Sequence, residues 1–386
     1  MSRRISPPAR FSVGVNYWTR SGAMKMWRRF DPGEIRDDFA HIAALDLDTV
    51  RLFLRWDDFA PEPDRVDEEM LGRLEAVAGL AADAGLQTLP VLFCGHMGGA
   101  NWLPAWALDR KNTSHEFSTI VNGAVSPFGA ANLYSGPLLD AQLYVAREVG
   151  ARLRLHPGVR AWDIGHAFSN VREPAHGKIS SGDHGKEPAA EREVAQWSLR
   201  LTEALRTSSG LPVTAGTHSG DISVRDRDIR LASLCMPFAF ASMQGSPAGA
   251  SFARGPLDPE YVPFLAMLTA AFSFKPVLIT GFGNPSLSED EEGENAAYCS
   301  AVLERLHADG RLGAYWWCWS DDVPNEASCG IVRSDGTEKP VASVLARFAR
   351  EQRTVLMPSE MPMISSTFYY RTLPASSRTL YEAFLG

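Results

Sequence analysis

The sequence alternates short β-type apolar runs with helical stretches along almost its whole length. Eight of the apolar runs predict strands, at residues 11–18, 48–56, 86–93, 159–164, 212–216, 238–243, 276–280 and 313–319. Amphipathic stretches predict helices at residues 37–45, 71–84, 139–154, 191–207, 263–272, 294–308 and 341–353. Strands joined through helices pair in parallel, and eight strand–helix units favour a closed (β/α)8 (TIM) barrel over an open doubly wound sheet.

Two segments depart from this alternation. Residues 95–136 are rich in Gly, Asn and aromatic residues, which predicts a long loop after the third strand. We expect one domain, a barrel over residues 1–353, because α/β barrels commonly exceed about 250 residues. Residues 354–386 carry scattered apolar side chains, and we expect this C-terminal extension to pack on the barrel as part of the same domain.

The composition limits the partners that the chain can have. It has 386 residues, a formal net charge of −8, and no basic run interleaved with aromatic residues, so a nucleic-acid partner is not expected. The longest nearly apolar stretch, residues 231–243, is too short to cross a bilayer, and the N-terminal arginines precede no secretory signal core. Five cysteines without CxxC spacing predict reduced, buried thiols and a cytoplasmic protein. The oligomeric state stays open.

Polar and aromatic residues cluster at the carboxyl ends of the predicted strands, where barrels of this kind carry their sites. Indole rings stack on the C–H faces of sugars, and paired donors and acceptors bind sugar hydroxyls, so this mouth suits a sugar. The mouth also includes Ser246, Asp57, Asp58, Asp321 and Asp322. We predict that the substrate-binding residues are Asn16, Tyr17, Arg51, Trp102, His218, Gln244, Trp317 and Trp319.

Three histidines, His96, His166 and His218, follow successive strands and predict one site that can move protons. We predict His166, His96 and Asp221 as catalytic residues. A structural role for each is the alternative: a lone histidine is commonly satisfied by hydrogen bonds, and Arg51 could neutralise a neighbouring carboxylate. The histidines lack HExxH spacing, and the paired loop aspartates suit solvated positions, so neither a metal nor a cofactor is expected.

Several stretches also carry a family resemblance. They are residues 14–18, 50–63, 101–104, 161–165 and 275–280, and together they span most of the chain. The chain resembles clan A glycoside hydrolases, near the family 5 cellulase and mannanase group. The resemblance implies a retaining mechanism with two glutamates: one after the fourth strand protonates the leaving oxygen, and one after the seventh strand attacks the anomeric carbon.

Both glutamate positions depart from the family pattern. The fourth-strand motif Trp-Asp-x-Gly-Asn-Glu corresponds to residues 162–167 (WDIGHA), and Glu-Phe-Gly after the seventh strand corresponds to residues 281–283 (GFG). The sixth-strand motif His-Gly-Tyr-Pro corresponds to residues 244–247 (QGSP). Ala167 cannot donate a proton and Gly281 offers no nucleophile, so hydrolysis by two glutamates is not expected.

Three explanations remain open. An ordinary hydrolase inactivated at Ala167 and Gly281 would leave His166, Gln244 and Ser246 unexplained. A carbohydrate-binding protein without chemistry is the second explanation. The third, which we favour because proton-moving residues remain at the mouth, is a pseudo-glycosidase that rearranges, cyclises or dehydrates a sugar-containing small molecule in biosynthesis.

Overall fold

Eight parallel strands close into a barrel in the computed structural model, which describes residues 10–113, 116–172, 189–224, 229–286, 288–321, 328–351, 353–356 and 364–386. Each strand pairs with its neighbours in sequence, and the last pairs with the first. The predicted (β/α)8 barrel is therefore confirmed. The strands are β1 (Ser12–Tyr17), β2 (Thr49–Arg55), β3 (Gln87–Cys94), β4 (Trp162–His166), β5 (Val213–His218), β6 (Ala241–Gln244), β7 (Val277–Phe282) and β8 (Gly313–Trp316).

A helix follows every strand of the barrel. Asp31 and Asp67 begin the first two helices by accepting hydrogen bonds from backbone N–H groups of the first turn. The helix between β5 and β6 has only five residues and was not predicted, because its apolar stretch has no polar face. The helices are α1 (Pro32–Ala44), α2 (Glu68–Asp83), α3 (Gly136–Arg152), α4 (Ala189–Ser209), α5 (Leu231–Cys235), α6 (Tyr261–Ser273), α7 (Glu289–Ala308) and α8 (Pro340–Arg350).

Strand bounds differ from the sequence-based bounds at both ends of the barrel: β4 and β6 begin three residues later than predicted. β4, β5 and β7 each continue two residues beyond the predicted end, where Gly165, Thr217 and Gly281 interrupt the apolar pattern. β8 ends earlier than predicted. After it, Cys318 exchanges backbone hydrogen bonds with Cys329 and Ile331 of its own loop, while the N–H groups of Trp317 and Trp319 donate to the carbonyls of Phe282 and Asn16 on the neighbouring strands.

The long segment after β3, predicted as a long loop, also contains short strands. Four strands of two or three residues form a small sheet, His96–Met97, Ala100–Trp102, Thr119–Val121 and Ala124–Ser126. The first two of these strands pair antiparallel, with His96 opposite Asn101. This sheet brings the loop over one side of the barrel mouth.

An ion pair lies inside the barrel below the mouth. Arg51 on β2 and Asp163 on β4 are both fully buried, and the Arg51 Nη2 lies 2.7 Å from the Asp163 Oδ2. Asp163 also accepts hydrogen bonds from the backbone N–H groups of Gly165 and Gly216. A Cβ on Gly216 would lie 2.6 Å from the Arg51 Nη2 and 2.4 Å from a backbone oxygen, so the ion pair requires glycine there.

The C-terminal extension packs on the barrel through two helices, α9 (Ser366–Arg371) and α10 (Ala375–Phe384). The Tyr369 hydroxyl donates to the Ile222 carbonyl, and the Tyr381 hydroxyl donates to the buried carboxylate of Asp258. Tyr381 also packs edge-on against Phe264 of α6. Because the extension covers its outer face, α6 is buried on all sides. In the part of the chain that the structure describes, no helix has the length and apolarity to cross a membrane.

We expect the Asp258 anchor to make stability sensitive to acid. Burial raises the pKa of Asp258, but hydrogen bonds from Arg254, Tyr381 and backbone N–H groups outweigh burial and lower this pKa to about 2. The unfolded pKa is about 3.9, so the carboxylate stabilises the fold above that value and loses this effect as the pH falls towards 2. Asp258→Asn should lower the free energy of unfolding by about 1–2 kcal/mol at neutral pH, measured by urea denaturation.

Asp140→Asn is the matched control, because Asp140 is exposed and only contacts the exposed Arg200. It should change the free energy of unfolding by less than about 0.5 kcal/mol. At about pH 2 the protonated carboxyl of Asp258 no longer holds its charge-assisted hydrogen bonds, so Asp258→Asn should then lower the free energy of unfolding by less than at neutral pH. An equal loss of unfolding free energy at both pH values would contradict the anchor.

Candidate active site

A pocket of about 330 Å³ opens at the carboxyl ends of the strands, within the size range of small-molecule sites. Ala167 and Gly281 both line it, as expected for two positions around one mouth. So do five predicted site residues, His96, His166, His218, Gln244 and Trp317. Among the residues that the structure describes, no Asp, Glu, Lys or Arg lines the pocket.

Arg51 lies beneath the pocket floor and holds two of the polar side chains that line the pocket, Gln244 and His166, together with the buried Asn16. The Arg51 Nη1 lies 3.2 Å from the Asn16 Oδ1, 3.3 Å from the Gln244 Oε1 and 3.3 Å from the His166 Nδ1. A guanidinium only donates hydrogen bonds, so the His166 Nδ1 is an acceptor. The neutral ring of His166 therefore carries its proton on Nε2.

Packing fixes the orientation of the His166 ring. It stacks on Trp317 with ring centroids 5.4 Å apart and an angle of 7° between planes, and it meets the edge of Phe53. Burial lowers the pKa of His166 well below its ordinary value, and the charge of Arg51 lowers it further. The Nε2–H has no protein partner among the described residues, so His166 can offer a neutral N–H donor to a ligand.

His96 has the opposite tautomer. Its Nδ1 lies 2.8 Å from the Asn101 Oδ1, and the Asn101 amide nitrogen donates to the carbonyl of Asn170. That second bond fixes the orientation of the amide, so the His96 Nδ1 donates and its Nε2 carries the lone pair. His96 thus has its ring lone pair on Nε2, whereas His166 has an N–H donor there.

His218 and Asp221 form a capping box at the start of the short helix Ser219–Ser223. The His218 Nδ1 accepts from the N–H of Gly220, and its Nε2 lies 2.9 Å from the Ser169 hydroxyl, which donates to Asp221. Both ring nitrogens therefore bind protein groups. Asp221 is 1% exposed and lies behind the pocket wall, where it holds Ser169 and the backbone of His218.

The remaining predicted substrate contacts lie at other places. Asn16 and Arg51 are fully buried below the floor. The Tyr17 hydroxyl donates to Asp38, and Trp319 packs against His41, so both rings face α1 on the outside of the barrel. The remaining member of the predicted set, Trp102, lines a neighbouring cavity.

The loop aspartates have protein partners instead of a common ligand. Asp57 pairs with Arg55, Asp58 with Arg28, and Asp321 with Lys339, while Asp322 lies outside the described residues. Within the described ranges, no group of three or more His, Cys, Asp or Glu side chains has an arrangement that could hold a metal ion.

Several wall residues were missed by sequence reasoning, because glycines and residues of distant loops give no chemical signal. They are Met97, Gly98, Gly99, Ser219, Gly245, Pro285 and Cys329. Gly281 lies close to the side chain of Gln244. A Cβ built there would lie 3.3–3.4 Å from the side chain of Gln244, so Gln244 partly occupies the place of the absent side chain.

Comparison with known proteins identifies the fold. No family model and no curated protein sequence matches the chain. Among solved structures, it is similar to the exo-beta-1,4-mannosidase Op5Man5 from Opitutaceae bacterium strain TAV5, with 24% identity and a TM-score of 0.72, over 89% of this chain and 60% of that one. It spans a larger share, 90%, of an alanine variant of GH5_18 from Streptomyces cattleya in complex with Manb1-4GlcNAc, with 20% identity, a TM-score of 0.77 and 97% of this chain covered.

The chain has the fold of the clan A glycoside hydrolases. GH5_18 from Bifidobacterium longum subsp. longum gives the same result, with 20% identity, a TM-score of 0.73, and 91% of this chain and 81% of that one covered. The TM-scores establish the shared barrel. The chemistry of this glycoside-hydrolase-like barrel depends on the residues of its own pocket.

We predict that His166 and His96, two of the three histidines that line the pocket, show opposite tautomers in solution. Long-range proton–nitrogen NMR correlation should find His166 neutral with its proton on Nε2 from about pH 5 to pH 8, because burial and Arg51 disfavour its cation. His96 should show the Nδ1–H form when neutral. The partly exposed His41 supplies a reference signal in the same spectra. A doubly protonated His166 at neutral pH would contradict this assignment.

Proposed function

We propose that this chain is a pseudo-glycosidase that binds a sugar-containing small molecule and catalyses proton transfer on it without hydrolysis. One observation carries the proposal: the described pocket lining has no carboxylic acid, yet it has a histidine N–H donor and a histidine base. In most glycoside hydrolases, hydrolysis with retention or inversion uses two carboxyl groups across the scissile bond. Paired histidines suit acid–base chemistry at neutral pH instead.

A sugar as the bound group is supported by the pocket and by its structural neighbours. Gln244 and Asn170 offer amide groups for hydroxyls, and Trp317 offers an aromatic surface. Similar structures are described in complex with Manb1-4GlcNAc and with GlcNAc. We therefore take mannose-type and N-acetylglucosamine-type rings as the first candidates for the occupant.

The two histidines would divide the reaction between them. The His96 Nε2 takes a proton from a carbon next to a carbonyl group, and the His166 Nε2–H donates a hydrogen bond to the oxygen on which negative charge develops. Arg51 strengthens that donor through the opposite ring nitrogen. The proton on His96 then returns to a neighbouring carbon, which gives a rearrangement, or leaves with a hydroxide as water, which gives a dehydration.

The setting that we propose is cytoplasmic biosynthesis. All five cysteines are buried thiols, and such thiols persist in a reducing compartment. Asp221 is proposed to act indirectly, by holding Ser169 and through it His218. Asn16 and Arg51 likewise would support the floor from below.

We expect no hydrolysis of aryl β-mannosides, β-glucosides or β-galactosides above the buffer rate, measured by release of the phenol. The double variant Ala167→Glu/Gly281→Glu should recover activity because it restores both carboxyl groups. Only a trace is expected, since a Cβ at position 281 would lie 3.3 Å from the Gln244 Cβ and force that residue to shift. Ala167→Gln/Gly281→Gln is the matched control, with the same size and no carboxylate. Clear hydrolysis by the unmodified chain would refute the proposal.

We expect His96→Gln to separate catalysis from binding. Conversion should be found by mass spectrometry of a metabolite extract incubated with the chain, and then followed in heavy water as deuterium entering the converted compound. His96→Gln should lower the exchange rate by at least about 10²-fold, as expected for loss of a general base, while affinity stays within about tenfold. A binding-only protein would give no exchange with any compound, and its variants would differ in affinity alone.

A further inference from the structure

A second cavity of about 380 Å³ adjoins the candidate active site. Met97 and Gly98 line both spaces, so one thin segment of the loop after β3 separates them. The far wall comes from the segment after β1, which includes Arg20, Lys25 and Arg29. A substituent on a sugar ring in the first pocket would therefore reach the second cavity by passing Met97 and Gly98.

Three cations line the second cavity. Arg20, Lys25 and Arg29 line it, and none forms an ion pair or side-chain hydrogen bond within the described part of the chain. The Arg20 Nε is buried and lacks a hydrogen-bond acceptor. Lys25 and Arg29 are exposed. No acidic residue is among the described residues that line the cavity.

Neighbouring arginines show that this arrangement is local. Arg28 pairs with Asp58, Arg55 with Asp57 and Arg73 with Glu69, so carboxylates satisfy the guanidinium groups around the cavity. The carboxylates nearest to Arg20 serve other groups. Glu34 accepts hydrogen bonds from Ser21, and Asp38 accepts one from Tyr17. Burial raises the pKa of Asp38 and the charge of Arg20 lowers it, so Arg20 already interacts with this carboxylate. Lys25 and Arg29 remain available to an anion from outside the chain.

Apart from Ser21, the other side chains that line the cavity are apolar. Trp102, Met24 and Ile120 contribute to its wall. Trp102 is held in place because its Nε1 donates to the carbonyl of Met97 and its ring packs under Arg55, with 4.8 Å from the guanidinium carbon to the ring centroid. A fixed indole beside cations suits a flat apolar group that carries a negative charge.

We propose that this cavity is a subsite for an anionic, flat substituent of the sugar, so the substrate class is a sugar derivative whose substituent ends in a carboxylate or a phosphate. The inference that the substrate contains a sugar rests on the function proposed above. The inference that its substituent is anionic rests only on Arg20, Lys25, Arg29 and the apolar wall. Both anionic groups satisfy the same chemistry, and the experiment separates them.

Isothermal titration with matched ligands tests the proposal. The ligands are the β-mannosides of 4-nitrophenol, of 4-hydroxybenzoate and of 4-hydroxyphenyl phosphate, of which the first is neutral. At about 20 mM salt the anionic mannosides should bind at least tenfold more tightly than the neutral one, and about 0.5 M salt should reduce this preference because exposed charges are screened. The tighter of the two identifies the anionic group.

Lys25→Gln/Arg29→Gln removes two exposed cations without disturbing the packing around Arg20. This variant should lose most of the preference and bind the neutral mannoside unchanged. Arg147→Gln on the outer helix α3 is the matched control and should keep the full preference. Equal binding of neutral and anionic mannosides by the unmodified chain would overturn the subsite.

Benzoate and phenyl phosphate without sugar separate the two proposals. If no mannoside binds but these anions bind and lose affinity in Lys25→Gln/Arg29→Gln, the subsite stands and the sugar pocket fails. If the neutral mannoside binds and the free anions show no dependence on Lys25 and Arg29, the sugar pocket stands and the subsite fails.

Discussion

The polar side of the barrel mouth depends on one buried ion pair, between Arg51 and Asp163. Two opposite charges without solvent are tolerated only when their remaining hydrogen-bonding groups are satisfied. Here Asp163 receives two backbone N–H groups, and the spare nitrogen of Arg51 reaches Asn16, His166 and Gln244. The pair therefore fixes the chemical state of His166 as well as the packing of the barrel centre.

The barrel was predictable because its signal repeats eight times. Alternation of strand and helix survives an error at any single element, so the weak helix α5 did not affect the result. Strand ends at the mouth were less predictable, because residues such as Gly281 and His218 serve the pocket and lack the apolar pattern of a strand. The small sheet in the loop after β3 was missed because its strands are only two or three residues long.

The site was predictable in position and less so in detail. Histidines at successive strand ends indicated one pocket, and three of them line it. Successive residues of a strand face opposite sides, so Asn16 points into the barrel while Tyr17 points to α1, a distinction that alternation alone could have supplied. The tautomers could not be predicted, because they depend on partners such as Asn101 that the loop brings into place.

Met97 and Gly98 separate the two cavities, and Gly99 follows them on the side of the first cavity. Gly98 and Gly99 both have positive φ, 60° and 71°, and neither extends a side chain into the passage. Open space surrounds the Cβ position of Gly99, so the backbone angle is what opposes a larger residue there. In the function proposed above, a ligand that occupies both cavities has to pass Met97 and Gly98, so this segment sets the distance between the sugar ring and the far end of its substituent.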